Sequence, residues 1–191
     1  MFPPDIFRHT LTRLVVILRH HGVRFHLTGG ITSVAYGEPR MTQNIDVVVD
    51  NVPLSRAADA FIAAVSEAGF LLDPEQVRRA IAEKSMFQLF DMTEALKVDI
   101  YPRELIPGEL DRSTVMEVLE GMPLPVASRA DAAASKLVWA SKGSHKSRRD
   151  LRQIARQMTA VDRSDLDRLA RLLGLEGLLA HILAEPDEIA G

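Results

Sequence analysis

The chain has 191 residues and a mass of 21.1 kDa, is 47% apolar and 26% charged, lacks cysteine and carries a formal net charge of −3. That composition excludes a disordered chain and a collagen-like or low-complexity fibre; the missing cysteine excludes a disulfide scaffold, a thiolate nucleophile and a Cys-built zinc site. Charge is uneven: residues 129–171 hold eleven Lys/Arg against five Asp/Glu, a balance of +6 that leaves −9 for the rest, which suits a phosphate-bearing ligand on one side and a cation on the other, or simply a solvated helical face.

The length fits one domain, or one with a small appendage. Residues 5–21 have helical spacing, with Ile6, Leu11, Leu14, Val15 and Leu18 on one stripe and Gly22 as C-cap. The apolar run at 14–18 is bracketed by Arg13 and Arg19, reads as a helix core face and not a signal peptide, and no run approaches the ~20 apolar residues of a membrane span. A short strand at 25–28 leads into Gly29-Gly30, then a helix at 31–36 ending at Gly37, and Pro39 enforces a turn. A β-branched strand is expected at 45–49, an Ala-rich helix at 54–68 ended by Gly69, and a helix at 75–83 after Pro74. Strands follow at 86–90 and 96–101, then a hairpin of 115–119 and 124–127 around Gly121-Met122-Pro123. Beyond Ser128 the pattern turns helical: 129–141, 144–158, 164–173 and 175–183, with Ser128 and Ser164 as N-caps and Asp131 strengthening the first. The expected organisation is an α/β core over 1–127 and a helical region over 128–191.

Three segments carry chemistry. A strand, two glycines and a helix can cradle a phosphate, because glycine admits close backbone approach and the first helical N–H groups lack internal partners; Thr32 and Ser33 can add hydroxyls. The alternative is a plain turn. In the strand Asn44-Ile45-Asp46-Val47-Val48-Val49, Asn44, Asp46 and Val48 share one face and the other three face the core. Leu96-Lys97-Val98-Asp99-Ile100-Tyr101 repeats the device, with Asp99 opposite in direction to Val98 and Ile100. If the two strands are neighbours, about 4.8 Å apart, Asp46 and Asp99 converge, and two such carboxylates need a proton or cation between them. Hard oxygens beside a phosphate favour Mg²⁺ or Mn²⁺. The alternative is that each aspartate points to water alone.

Thr28-Gly29-Gly30, Asn44-Ile45-Asp46-Val47 and Val98-Asp99-Ile100, in that order, resemble the motif layout of the polymerase-β-like nucleotidyltransferase superfamily. The stretch around Gly37, Arg40, Thr42, Asn44, Ile45 and Asp46 resembles its AbiEii-type branch, which includes toxins of bacterial toxin–antitoxin systems. Lys136 after Val126-Ala127-Ser128-Arg129-Ala130-Asp131, and Arg149-Asp150 on the next helix, resemble that branch too. The resemblance implies an α+β fold, a mixed β-sheet packed with helices and followed by a helical subdomain. It implies an enzyme moving a nucleoside monophosphate from an NTP to a hydroxyl of a tRNA end, a protein or a small molecule, in the cytoplasm, with a cognate antitoxin as a partner. By the same resemblance Gly29, Gly30 and Ser33 hold the β- and γ-phosphates and Asp46 and Asp99 bind Mg²⁺ (or Mn²⁺), with Asn44 beside them. Asp99 then favours deprotonation of the attacking hydroxyl, Lys136 contacts the triphosphate, and Asp150 shapes or polarises the acceptor side. Asn44 departs from the pattern, which has an aspartate there; an amide keeps an oxygen ligand but loses a charge. This leaves a second possibility, a weakened nucleotide-binding or partner-binding relative.

Other residues are weighed beside these. His20-His21 lack a zinc spacing, and His26 reads as a packed strand residue. Trp139 is either core or a base-stacking platform. The stripe Arg148, Arg149, Arg152 and Arg156 either tracks a nucleic-acid backbone or is a solvated face, and Arg40 and Thr42 are expected to shape the loop before the second strand.

Overall fold

The structure is a computed structural model that describes residues 4–37 and 44–185. Arg40, Thr42 and the turn expected at Pro39 lie outside the described residues. In chain order the elements are α1 (Pro4–His20), β1 (Phe25–Thr28), α2 (Gly30–Tyr36), β2 (Asn44–Val49), α3 (Asn51–Arg56), α4 (Ala58–Glu67), β3 (Phe70–Leu71) and α5 (Pro74–Glu83). There follow β4 (Phe87–Asp91), β5 (Leu96–Tyr101), β6 (Thr114–Leu119), β7 (Met122–Val126), α6 (Arg129–Ser141), α7 (His145–Arg156), α8 (Ala160–Leu172) and α9 (Glu176–Ala184).

The strands form a mixed sheet in the order β3-β4-β5-β2-β1-β7-β6. β1 runs antiparallel to β2 and parallel to β7, while β2 runs parallel to β5. The alternation read in β2 and β5 decides which face is buried: Ile45, Val47, Val98 and Ile100 are essentially inaccessible to solvent. α1 packs on this apolar side against β5 and α4, and α5 packs against β4 and α4. The predicted stripe of α1 holds, with Leu11, Leu14 and Leu18 buried. On the other side α2 contacts β1, β2, α6 and α7, and α6–α9 pack on one another. Buried side chains from before and after residue 127 belong to a single hydrophobic cluster.

The expected helix at 54–68 is instead two. It starts earlier, because Asp50 caps α3 by accepting from the Val52 N–H (3.0 Å) and Pro53 is tolerated in a first helical turn. It breaks at Ala57, whose backbone leaves the helical region (φ −107°, ψ 14°). α8 likewise begins a turn before Ser164, since Thr159 and Asp162 form a reciprocal capping box. The two-residue β3 was not expected; Phe70 enters it as a buried side chain under the Arg13 guanidinium (5.2 Å to the ring centre).

Candidate active site

The strand register builds the site before any side chain is considered. Thr28 of β1 lies opposite Asp46 of β2, Asp46 opposite Asp99 of β5, and Asp99 opposite Gln88 of β4. Four adjacent strands thus present one row on the face away from the apolar core. Asn44 and Tyr101, each two residues from an aspartate, share that face.

The two aspartates meet through an amide. Asn44 Nδ2 donates to Asp99 Oδ2 (2.7 Å) and to Asp46 Oδ1 (3.2 Å). Gln88 Nε2 donates to Asp99 Oδ1 (2.9 Å), and the Lys97 ammonium is 3.9 Å from the same oxygen. Asp46 Oδ2 accepts from the Gly30 N–H at 3.4 Å. Burial, and then the charge of Asp99, push the Asp46 carboxyl above the ordinary aspartate range, against the opposing pull of the Gly30 N–H, Lys136 and Lys97. The Tyr101 phenol is also pushed up, by burial first, then by the charges of Asp46 and Asp99 and its bond to Asp46.

The Gly29-Gly30 turn presses on this pair. Gly29 has φ 63° and ψ −121°, a conformation open to glycine alone. A Cβ there would lie 2.1 Å from Asp46 Oδ2. The Gly29 carbonyl turns inward and accepts from Thr32 Oγ1 (3.0 Å), Ser33 Oγ (3.0 Å), the Ser33 N–H (3.2 Å) and Lys136 Nζ (3.1 Å). Ser33 Oγ is equally close to Asp150 Oδ2 (3.0 Å), which sits 3.5 Å from Lys136 Nζ. Ser33, Lys136 and Asp150 are all buried. Their polar atoms therefore meet one another at the Gly29-Gly30 turn.

A cleft of about 190 Å³ opens over the row. Asp46, Val48 and Tyr101 lie on its floor, Lys136, Trp139 and Lys142 of α6 on one side, and Arg103, Leu105 and Glu109 of the 102–113 loop on another. Tyr101 and Gln88 were legible as face-mates of Asp99 by period two and hairpin register; Arg103 and Glu109 sit in a loop with no periodic signal. Trp139 is 41% exposed, so it is not the core residue of one expectation. His26 is fully buried between Ser113 Oγ (2.8 Å from Nδ1) and Glu109 Oε2 (3.5 Å from Nε2), a packed strand residue as read. Arg148 and Arg152 are paired with Glu185, away from the row.

Among the described residues no group of three or more His, Cys, Asp or Glu is placed to hold a metal. The donor set at the row is the carboxylates of Asp46 and Asp99 and the amides of Asn44 and Gln88, all hard ligands. It fits a single Mg²⁺-type ion on Asp46 and Asp99, with the Asn44 carbonyl oxygen available once its amide turns over. It does not offer the further carboxylate bridge of a two-ion centre.

In comparisons with solved structures, the antibiotic-resistance factor ANT(2'')-Ia aligns over 93% of this chain and 99% of its own, at 14% identity and a TM-score of 0.59, a likeness of fold. The lincosamide antibiotic adenylyltransferase LnuA aligns over 83% of this chain and 93% of its own (16% identity, TM-score 0.46). A nucleotidyltransferase-like protein from Paracoccidioides brasiliensis aligns over 92% and 91% (13%, TM-score 0.49). No curated protein matches the chain. The model of the family described as nucleotidyl transferase AbiEii toxin, Type IV TA system, matches residues 13–183. With nine-tenths of its length inside that match, on a nucleotidyltransferase-like fold, the chain belongs to the AbiEii nucleotidyltransferase family.

Proposed function

We propose that the chain transfers a nucleoside monophosphate from an NTP to a hydroxyl group. The observation that carries the reading is the register pairing of Asp46 with Asp99 beside the Gly29-Gly30 turn. The acceptor oxygen would attack the α-phosphorus as the bond to the β-phosphate breaks, and pyrophosphate would leave. A Mg²⁺ or Mn²⁺ ion on Asp46 and Asp99 would supply charge neutralisation at the phosphoryl oxygens and at the attacking hydroxyl. Asp99 receives the hydroxyl proton or hands it to water. Gly29 and Gly30, with no side chains, let the β- and γ-phosphates come against the backbone. Lys136 acts from behind: its ammonium holds the Gly29 carbonyl inward, Asp150 holds the ammonium, and the Ser33 hydroxyl donates to Asp150. In this division of labour the 1–127 core supplies the carboxylates and turn, and the 128–191 region supplies Lys136 and Asp150. Most of the rate enhancement would then be positioning and electrostatics.

Incubation with α-³²P-labelled NTPs and Mg²⁺ or Mn²⁺ tests this, with RNA, protein and small-molecule hydroxyls as acceptors. Labelling should occur and Asp46→Ala should abolish it; activity that survives Asp46→Ala removes the metal role. As a member of a toxin family the chain should also slow growth when expressed, with relief from a cognate antitoxin.

A second reading, a nucleotide-binding relative without transfer, is favoured by the Asn44 amide, which stands between the two carboxylates as a donor to both. Calorimetry separates the two. NTP binding indifferent to Mg²⁺, with no turnover and with activity gained in Asn44→Asp, would establish the second.

A further inference from the structure

We propose that Trp139 is the platform on which the nucleobase stacks. This rests on the nucleotide reading of the cleft and adds to it the position and chemistry of the base subsite. α6 is buried along nearly its whole length: Ala130 through Leu137 and Ala140 are all closed to solvent. The large apolar side chain it exposes is Trp139, on the cleft side. An indole left 41% open on an otherwise buried helix gives up burial that packing would reward.

Its position suits a base. Trp139 lies three residues beyond Lys136, about 4.5 Å further along the helix axis, and Lys136 holds the Gly29 carbonyl. The polyanionic end of a nucleotide at the Gly29-Gly30 turn and its planar end at Trp139 therefore occupy one cleft. The lining combines the Asp46 and Glu109 carboxylates with Met86 and Leu105, which join Trp139 as apolar surface. Two cations line the cleft together with this apolar surface. Lys142 Nζ rests 4.8 Å from the indole centre, and Arg103 makes no hydrogen bond or ion pair among the described residues. Cations there suit a phosphorylated ligand and disfavour a polycationic one. An exposed cation–π contact is weak, so a base can replace the lysine headgroup on the ring. The Glu109 carboxylate is engaged by the Leu105 and Ile106 N–H groups and His26. Stacking tolerates every base, because each has a π-face, so all four NTPs should bind within about tenfold of one another.

Trp139 is the sole tryptophan in the chain, so its fluorescence, excited at 295 nm, reports on this position alone. With Mg²⁺ present, NTP should quench it, and inorganic tripolyphosphate, bound at the same turn, should not. By calorimetry Trp139→Ala should weaken NTP binding roughly tenfold and leave tripolyphosphate unchanged, while Trp139→Phe should restore most of the loss. The residue is exposed, and a thermal melt confirms that the variants fold. NTP binding without quenching, at equal strength in Trp139→Ala, overturns the platform and leaves the transferase reading standing. Failure of the wild-type chain to bind either NTP or tripolyphosphate at millimolar concentration overturns the nucleotide reading and the platform with it.

Discussion

Two acidic sites sit on opposite faces of the same sheet and show how differently one side chain can be used. Asp91, at the end of β4, points to the apolar face and is wholly buried. Its oxygens accept from Thr10 Oγ1 (2.5 Å), the Arg13 guanidinium and the N–H groups of Thr93 (3.0 Å) and Glu94 (3.2 Å). Burial alone would raise its pKa, but those donors outweigh it and hold the carboxyl below the ordinary range. Asp46 and Asp99, on the cleft face, have each other for company. Asp46 is pushed up by burial and by that neighbour. The first cluster is matched to its partners and stabilises the fold. The second keeps repulsion in place, which a cation or a proton would relieve.

The largest expected contrast is in chemistry. Asp99→Asn should cut labelling by at least about 10³-fold, the scale of a lost electrostatic stabiliser, with the thermal midpoint within a few degrees of wild type; Asp91→Asn at constant fold should leave labelling intact. Next is stability. Asp91→Ala strands Arg13, Thr10 and two backbone donors, and should cost about 3 kcal/mol, a fall of roughly 6–12 °C in the melting midpoint for a chain of this size. Asp46→Asn should move the midpoint the other way, by roughly 2–4 °C upward for about 1 kcal/mol of relieved repulsion. A fall with Asp46→Asn would erase the distinction between the clusters.

The smallest effect is in pH dependence, and it has opposite signs. The stabilisation from Asp91 is present above the ~3.9 of an unfolded aspartate and is lost as pH falls through its depressed folded value. For Asp46 the folded value is the higher one, so its cost is absent in acid and appears as pH rises from the unfolded value through the folded one. The deficit of Asp91→Asn and the gain of Asp46→Asn, followed by thermal melts from pH 3 to 7, should both shrink towards acid.

Much of this arrangement is legible in the residues. Period-two alternation in β2 and β5 places Asp46 and Asp99 on the same side, because a central strand with Ile45, Val47, Val98 and Ile100 inward has no other way to face. Capping chemistry gives α6 its start at Ser128, whose hydroxyl accepts from the Asp131 N–H. What escapes is set by contacts distant in sequence or by weak local signals. β3 is two residues long and exists as an edge on β4. Nothing about Ala57 marks a helix break. The contacts of Ser33 and Lys136 converge on one carbonyl more than a hundred positions from Lys136, and α6 leaves Trp139 open only because of where the cleft falls.

The close fit of Gly29 against Asp46 constrains the order in which this site can decay. A substitution at Gly29 meets both an unfavourable backbone conformation and a carboxylate 2.1 Å from the new methyl. Loss of the Asp46 carboxylate relieves the worst of the second obstacle, leaves the residue's Cβ 2.8 Å from the new methyl, and keeps the turn in place. Descendants that abandon the chemistry can therefore shed the acid first and keep the glycine, and a saturation library should find position 29 intolerant in every background that still carries Asp46.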